Sequence, residues 1–311
     1  MDSPFLAAVS GWRPHAPLQR LSFDWLAGVE LAVLRLDLID PLISGNKWFK
    51  LAPHLRAAAQ QGARGIISLG GAHSNHLHAL AAAGQRFSFA TVGLLRGDPQ
   101  DTPTVIDLQR FGMQLHWLGY GGYRARHRAD FWALWQARYP GFRTVPEGGG
   151  GLPGAQGCIE LVGLANEQLA ALGWSDHHGW WLAAGTGTTL AGLVMGEGGR
   201  RPVYGALAVP LDHGVPEQVQ ALLAQAGLAD TGYRLVDASR GGFARQDAEL
   251  LDFMVQCERQ SAVPLEPLYT AKALMALREA IGSGVIKAGT RLIFVHTGGL
   301  QGRRAALPHA G

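Results

Sequence analysis

Strand-like segments alternate with helix-like segments through most of this sequence, and that pattern constrains its fold more than any other feature. The helix-like segments include Trp48–Ala59, His76–Ala83 and Asp101–Arg110. The predicted strands are Gly65–Leu69, Phe89–Leu95, Gln114–Leu118, Trp180–Ala184, Pro202–Val209 and Leu292–His296. Strands that alternate with helices pair into parallel sheets covered by those helices. The sequence therefore predicts an α/β fold.

Two glycine-rich segments interrupt this pattern. They are Gly119–Gly122 and, with more glycine and proline, Pro146–Gly157. The second segment is either a flexible linker or a place where glycine lets the backbone pass close to a ligand. Because 311 residues are enough for two domains, we place a domain junction near this segment.

Charge, hydropathy and cysteine content exclude several functional classes. The net charge is only +3 and no dense basic run is present, so no nucleic-acid partner is expected. No apolar stretch reaches the ~18–20 residues that cross a bilayer, and the N-terminus lacks a basic signal-peptide start, so no membrane partner is expected. The two cysteines, Cys158 and Cys257, exclude a disulfide framework and predict a cytoplasmic protein.

Lysine is rare in this sequence. Chemistry that needs a primary amine must use one of four side chains, because arginine stays protonated. These lysines are Lys47, Lys50, Lys272 and Lys287. Lys47 follows a Gly-Asn pair near a loop, where a partly desolvated amine can form an imine with an aldehyde cofactor. The alternative is a surface lysine at the start of a helix.

Two predicted strand-to-helix turns have the composition of anion sites. One contains Ser74 and Asn75, which either hold an anion at a positive helix end or simply cap the helix. The other, Gly185–Gly192, is rich in glycine and threonine and predicts a phosphate cradle, or else a tight turn without a ligand. It lacks the lysine of a nucleotide-binding loop, and Leu190 stands where a dinucleotide fingerprint needs glycine. A single phosphate therefore fits it best.

Three further features of the sequence are candidate site residues. The histidines near Ser74 are His73, His76 and His78, and no metal is expected there because their segment contains no Asp, Glu or Cys. Tyr269 is either a proton donor, a stacking ring or a packing residue. Thr297 follows a predicted strand, where it either donates to a ligand or caps the turn.

Together and in this order, these motifs resemble the pyridoxal-phosphate (PLP) dependent 1-aminocyclopropane-1-carboxylate deaminase/D-cysteine desulfhydrase family. The similar stretches span nearly the whole chain and are Gly45–Lys47, Gly70–His76, Pro146–Gly157, Gly185–Gly192, Pro267–Lys272 and His296–Gly299. The resemblance implies the two-domain tryptophan-synthase-β-like fold, fold type II of PLP enzymes, with parallel-rich twisted sheets. We expect residues 1–50 and 156–311 to form the large domain and residues 51–155 to form an inserted small domain, with PLP in the cleft between them.

The resemblance also implies roles for individual residues. Lys47 would carry PLP covalently and move protons at the substrate Cα. Ser74, Asn75 and His76 would hold the substrate carboxylate and the ring oxygen of the cofactor, with Asn75 nearer that oxygen and Ser74 an acid, base or nucleophile. Tyr269 would lie against the ring and the substrate.

The remaining implied contacts hold the cofactor itself. Its phosphate would be bound by Gly185, Thr186, Gly187, Thr188 and Thr189. Thr297 would face the pyridine nitrogen. A carboxylate there would make the ring a stronger electron sink, whereas a neutral hydroxyl suits β-elimination over transamination.

Several positions depart from the family pattern. Thr270 stands where the deaminase branch has glutamate after the tyrosine, which favours a desulfhydrase-like reaction. The other departures are Ser44, Trp48, Phe49, Leu77, His78 and Ala271. These departures bear on the identity of the substrate and not on that of the cofactor.

The expected reaction is α,β-elimination from a small amino acid, D-cysteine, releasing pyruvate, ammonia and sulfide. The alternatives are deamination of 1-aminocyclopropane-1-carboxylate, a catalytically weak PLP-binding carrier or regulatory protein, and an enzyme for mononucleotides or sugar phosphates without PLP. A homodimer is expected, because two-fold symmetry is the commonest arrangement of soluble oligomers.

Overall fold

The computed structural model describes residues 9–242 and 244–306, in which strands and helices alternate along the chain. The strands are β1 (Leu18–Leu21), β2 (Glu30–Arg35), β3 (Gly65–Gly70), β4 (Ala90–Leu95), β5 (Gln114–Trp117), β6 (Phe142–Thr144), β7 (Gly179–Ala184), β8 (Val203–Leu207), β9 (Tyr233–Asp237) and β10 (Arg291–His296). The helices are α1 (Lys47–Gln60), α2 (Asn75–Phe87), α3 (Pro103–Arg110), α4 (Gly119–Arg124), α5 (Phe131–Arg138), α6 (Gly151–Gly157), α7 (Glu160–Asn166), α8 (Thr188–Glu197), α9 (Val215–Gln225), α10 (Ala248–Ser261), α11 (Thr270–Gly282) and α12 (Arg303–Ala306). The α/β class predicted from the sequence is confirmed.

The larger sheet has six strands in the order β1-β2-β10-β7-β8-β9. All neighbouring pairs are parallel except β1 and β2. The central strand β10 pairs on both sides, so that Phe294 lies opposite Val33 and Trp181. Strands β7 and β8 are buried along their whole length, as expected for a parallel sheet covered on both faces.

The smaller sheet has four parallel strands in the order β5-β4-β3-β6. Its strands lie between residues 65 and 144, within the predicted insertion of residues 51–155. This grouping supports the proposed two-domain organisation. The proposed boundary after residue 50, however, falls inside helix α1, which continues without a break to Gln60.

Local sequence signals explain where several helices begin. The hydroxyl oxygens of Ser74 and Thr102 each accept an N–H from the residue three positions on, at the N-caps of α2 and α3. The Asp247 carboxylate does the same at the start of α10. The interpretation of Ser74 as a helix cap is therefore correct, whatever further role it has.

The glycine-rich segment Pro146–Gly157 is not a flexible linker. It contains a 3₁₀ turn and then helix α6, so the linker interpretation is wrong. A Cβ on Gly157 would come within 2.0 Å of the Phe49 carbonyl oxygen of α1, and one on Gly192 of α8 within 2.3 Å of the Ala155 carbonyl oxygen. Glycine here allows α6 to pack against the backbones of α1 and α8.

The other glycine-rich break, Gly119–Gly122, also lies in a helix, because it forms the first turns of α4. Within residues 9–242 and 244–306, no helix combines the length and apolarity needed to cross a membrane.

Candidate active site

The candidate site lies at the carboxyl edge of the larger sheet. Strands β2, β10 and β7 are adjacent and parallel, so their carboxyl ends lie side by side. The loop after β2 leads to Lys47, Thr297 directly follows β10, and Gly185 directly follows β7. Three motifs that are far apart in sequence therefore meet where parallel α/β sheets bind their ligands.

A single asparagine links the lysine to the glycine–threonine turn. The Lys47 Nζ donates a hydrogen bond to Asn46 Oδ1 at 2.8 Å. The Asn46 Nδ2 donates in turn to Thr189 Oγ1 at 2.9 Å. The amine and the predicted phosphate cradle are therefore close enough for one cofactor to reach both.

Backbone contact fixes the loop that carries this lysine. Gly45 and Gly298 both have positive φ angles, +81° and +79°. A Cβ on Gly45 would lie 2.3 Å from the Thr297 carbonyl oxygen, and one on Gly298 would lie 2.5 Å from Gly45 Cα. The Asn46 N–H donates to that same Thr297 carbonyl at 3.1 Å. Only glycine permits this approach of two loops.

The amine of Lys47 has a lowered pKa, so it can act as a nucleophile near neutral pH. Burial lowers the pKa of Lys47 to about 7, and the nearby positive charge of Lys50 contributes. The charge of Glu266 acts in the opposite direction. A large fraction of this amine is unprotonated at pH 7, which is the form that attacks a carbonyl.

The glycine–threonine turn after β7 opens helix α8. Gly187 is the N-cap, with a φ of +71°. The Thr186 and Thr188 hydroxyl oxygens lie 3.2 Å apart beside the first turn of the helix. First-turn N–H groups and the helix dipole both favour an anion at this position.

Lys50 is a site residue that sequence analysis did not identify. It is 3% exposed, and its Nζ lies 3.4 Å from Thr186 Oγ1. No carboxylate pairs with it among the described residues, and burial lowers its pKa to about 8. The scarcity of lysine was the available signal, because Lys50 lies one helical turn after Lys47 on α1.

Tyr269 reaches the same edge from the start of α11. A Cβ on Gly185 would lie 2.9 Å from Tyr269 Cε1 and 3.5 Å from its hydroxyl oxygen, so glycine makes room for this ring. The Glu266 carboxylate accepts the Tyr269 N–H at 2.8 Å and the Thr270 N–H at 2.6 Å. Burial, with the nearby charges of Glu266 and Glu147, raises the pKa of Tyr269, so its phenol stays protonated.

The smaller sheet contributes the loop between β3 and α2. Ser74 lies here, and a Cβ on Gly70 would come within 2.4 Å of its Oγ. Asn75 meets the turn after β10, where Gln301 Nε2 donates to Asn75 Oδ1 at 2.7 Å. A Cβ on Gly299 would lie 2.7 Å from Asn75 Nδ2. These contacts bring the Ser74–Asn75 loop to the carboxyl edge of the larger sheet.

The three histidines near Ser74 face different environments. His76 is buried and bonded to Ser68 at 2.7 Å, and His78 is buried 3.2 Å from an Asp107 carboxylate oxygen. His73 is exposed. No cluster of three or more His, Cys, Asp or Glu side chains suited to a metal occurs in the described part of the chain. The predicted substrate contact of His76 stays a prediction.

Most of the departures from the family pattern are core positions. Trp48 and Phe49 are 1% exposed, and Trp48 packs edge-to-face on Trp12 with ring centroids 4.2 Å apart. Leu77 and Ala271 are fully buried and His78 nearly so. Because these side chains are packed in the core, they say less about the substrate than the sequence suggested.

Three comparisons with known proteins agree with this geometry. The family model described as "Pyridoxal-phosphate dependent enzyme" matches residues 10–298. A protein of Pyrococcus horikoshii named putative 1-aminocyclopropane-1-carboxylate deaminase is 26% identical over 88% of this chain and 86% of its own length. An Arabidopsis thaliana protein named bifunctional D-cysteine desulfhydrase/1-aminocyclopropane-1-carboxylate deaminase, mitochondrial, is 28% identical over 92% of this chain and 76% of its own length.

One solved structure confirms the fold. A crystal structure described as an ACC deaminase homologue superposes with a TM-score of 0.79, at 23% identity and over 96% of each chain. The tryptophan-synthase-β-like architecture expected from the sequence is therefore confirmed.

The residues at this site fit the PLP cofactor. Lys47 supplies an amine with a pKa of about 7 for the aldehyde. Lys50 and the first turn of α8 supply positive charge and N–H groups for a phosphate. A Cβ on Gly148 would lie 3.9 Å from both Lys50 Nζ and Thr186 Cγ2, so glycine lines this cradle without filling it.

Proposed function

The chain belongs to the family of pyridoxal-phosphate dependent enzymes, and we propose that it catalyses α,β-elimination from D-cysteine. The observation that carries this proposal is the environment of Thr270. Its hydroxyl donates to the Glu266 carbonyl at 3.1 Å and accepts the Glu266 N–H at 2.8 Å. The deaminase branch that this chain resembles has a glutamate at this position. Here the position holds a neutral threonine, whose hydroxyl is bonded to the backbone of Glu266 just before α11.

We propose that PLP is held between the two sheets. Lys47 would bind its aldehyde, and the turn Gly185–Thr189 with Lys50 would hold its phosphate. Asn75 would face its ring oxygen and Thr297 its ring nitrogen. When bound, the cofactor stabilises the negative charge that develops at the substrate Cα as its proton leaves.

Lys47 is proposed to move that proton. Its Nζ has a pKa of about 7, so the neutral amine can accept the Cα proton at physiological pH. Asn46 Oδ1 accepts a hydrogen bond from Nζ at 2.8 Å, and Asn46 is itself held by Thr189. The base is therefore oriented by a side chain that is also attached to the phosphate cradle.

Tyr269 is proposed to act on the substrate side chain, and Ser74 to place its hydroxyl near the substrate as an acid, base or nucleophile. Because the raised pKa of Tyr269 keeps its phenol protonated, it can donate a proton as the Cβ–S bond breaks. Sulfide leaves with the bonding electron pair and that proton. Water completes the reaction, so that one D-cysteine and one water give pyruvate, ammonia and hydrogen sulfide.

An assay of product formation tests this function. Purified enzyme is incubated separately with each D- and L-amino acid, and keto-acid and sulfide release are measured. We expect pyruvate and sulfide in equal amounts from D-cysteine. Cofactor binding without exchange of the Cα proton of any amino acid would instead favour a carrier or regulatory protein.

A second candidate is deamination of 1-aminocyclopropane-1-carboxylate. It is favoured by the names of the Pyrococcus horikoshii and Arabidopsis thaliana relatives, which both include this activity. Formation of α-ketobutyrate from this compound, measured beside pyruvate from D-cysteine, separates the two. A higher kcat/KM for the cyclic compound would overturn our preference.

We further propose a homodimer located in the cytoplasm. Symmetric dimers are common among enzymes. The only two cysteines in the sequence, Cys158 and Cys257, are both buried with free thiols, which suits a reducing compartment. Light scattering of the purified protein measures the oligomeric state, and a mass of one chain would contradict the dimer.

A further inference from the structure

His76 has a buried nitrogen that forms no hydrogen bond with the described residues. The side chain is 2% exposed, and its Nδ1 is the unpaired atom. A buried polar atom without a partner costs about 1–3 kcal/mol, so such atoms usually have a use. This buried nitrogen therefore calls for a hydrogen-bond donor close to it.

Ser68 determines which ring nitrogen carries the proton. The Ser68 hydroxyl donates its one proton to the Val145 carbonyl oxygen at 2.8 Å. It must then accept from His76 Nε2, which lies 2.7 Å away. With the proton on Nε2, Nδ1 presents a lone pair. Burial also holds the pKa of His76 well below its usual value, which keeps this neutral form.

Lys50 is a cation that borders the same glycine as His76. A Cβ on Gly149 would lie 3.2 Å from Lys50 Cβ and 3.5 Å from His76 Nδ1, so both side chains border the same glycine. Among the nearby charges, that of Lys50 has the largest effect on His76. Lys50 also has donors to spare, since its contact with Thr186 Oγ1 is long at 3.4 Å.

We propose that His76 is a positioning residue for Lys50: its Nδ1 accepts a hydrogen bond from the Lys50 ammonium and directs that ammonium at the cofactor phosphate. This inference rests on the proposed placement of the phosphate at Gly185–Thr189. It gives His76 a role through Lys50, and the substrate contact expected from the sequence stays a separate prediction. Ser68 acts one step further away, by fixing the tautomer.

Two substitutions of His76 separate its two nitrogens. The amide nitrogen of glutamine in His76→Gln can replace Nε2 and keep the bond to Ser68, but it leaves no acceptor at Nδ1. The amide oxygen of asparagine in His76→Asn can replace Nδ1 as an acceptor, but it loses Ser68. The matched pair is measured on the full chain, stripped of cofactor and titrated with PLP or with pyridoxal, which lacks the phosphate.

The expected results differ between the two ligands. In His76→Gln, the Kd for PLP should rise about tenfold while the Kd for pyridoxal stays within about twofold, because one charge-assisted hydrogen bond is lost only at the phosphate. In His76→Asn, the Kd for PLP should stay within about threefold while Tm falls. An unchanged Kd for PLP in His76→Gln, or equal weakening of both ligands, would overturn the proposal.

A double substitution tests the dependence on Lys50. Lys50→Met should itself weaken PLP binding, and adding His76→Gln to it should then change the Kd by less than about twofold. Additive losses would contradict a role through Lys50. These affinities do not depend on the substrate, so an enzyme inactive on D-cysteine would refute the proposed reaction and leave this test valid. If Lys47→Ala bound PLP with the same Kd as the native chain, the proposed cofactor site itself would be wrong, independently of the role of His76.

Discussion

The two sides of the candidate site are built by different kinds of contact. On the larger sheet, Gly45 and Gly298 bring two loops into backbone contact, and Asn46 connects Lys47 to Thr189. On the smaller sheet, the Ser74–Asn75 loop is joined to the larger one by longer side chains, such as the bond from Gln301 to Asn75. Backbone contacts leave almost no freedom to adjust, whereas a side-chain bond can break and form again.

This difference suggests a division of work between the sheets. The larger sheet is expected to hold the cofactor rigidly. The smaller sheet, apart from the proposed cofactor contacts of Asn75 and of His76 through Lys50, is expected to shape the substrate side and to adjust as substrate binds. Substitutions on the two sides should therefore give different phenotypes. The following predictions test that difference, from the largest expected effect to the smallest.

Replacing Lys47 should have the largest effect. Lys47→Ala should lose the visible absorption of bound cofactor and at least ~10³-fold in kcat/KM, because the covalent attachment and the proposed base both disappear. Absorption spectra and sulfide release measure this. Lys287→Ala, at an exposed lysine, is the control and should match the native enzyme. An active, coloured Lys47→Ala would refute the site.

Gly45→Ala tests the rigidity of the cofactor side. The new Cβ would meet the Thr297 carbonyl oxygen at 2.3 Å, so the lysine loop must move. We expect kcat/KM to fall at least ~10²-fold and stability by ~1–3 kcal/mol.

Gly62→Ala is the matched control for this substitution. Gly62 also has a positive φ, +64°, but a Cβ there would contact nothing within 4 Å. It should cost ~1 kcal/mol from backbone strain and leave turnover unchanged. Equal kinetic losses in the two variants would show that close backbone contact is not what matters.

A pair of substitutions at Ser74 tests the substrate side. Ser74→Ala removes the cap of α2, at a cost of about 1 kcal/mol, and also the hydroxyl near the substrate. Ser74→Asn restores a cap without the hydroxyl. If Ser74 acts on the substrate, both variants should lose about 10²-fold in kcat while the cofactor spectrum stays native. Recovery of activity in Ser74→Asn would reduce Ser74 to a helix cap.

The pH dependence of cofactor attachment should report Lys47. Its pKa is lowered to about 7, so the amine is mostly neutral above pH 7 and mostly protonated below. Attachment requires the neutral amine, so its rate to stripped enzyme should fall about tenfold per pH unit below pH 7 and level off above. Stopped-flow absorbance measures it. A rate still rising tenfold per unit between pH 8 and 10 would indicate an ordinary lysine.

The smallest effect is expected for the ion pair that joins α12 to α3. Arg304 donates to Asp107, and its side chain is about half exposed. Arg304→Ala should change stability by no more than ~1 kcal/mol and raise KM a few-fold, with cofactor affinity unchanged. Arg128→Ala is the control: it removes an exposed ion pair with Asp130, two residues along the chain, and should leave KM unchanged. A loss of cofactor in Arg304→Ala would contradict the division between the two sides.

Sequence reasoning predicted β3, β4, β7, β8 and β10 because they are continuous apolar runs. Strand β7, for example, is buried throughout. Of the strands that it missed, β6 has three residues and β9 is partly exposed, but β2 has six residues, five of them buried, around an apolar run whose signal the sequence did contain. Strand β1 was missed because only its two end residues are buried.

The site motifs were predictable where chemistry restricts the residue type. Imine chemistry needs a primary amine and a phosphate site favours a glycine–threonine turn, and the fold brings Lys47 and Thr189 together through Asn46. Lys50 and Ser68 were missed because their roles come from tertiary neighbours. The helical segment Gly151–Gly157 was missed because its glycines are needed for close packing, not for a turn.

Chemical trapping of the cofactor tests the central claim most directly. Loaded enzyme is reduced with borohydride, which makes the lysine attachment permanent, and the digested protein is mapped by mass spectrometry. We predict that the label lies on the peptide containing Lys47. A label on Lys50, Lys272 or Lys287 would contradict the account.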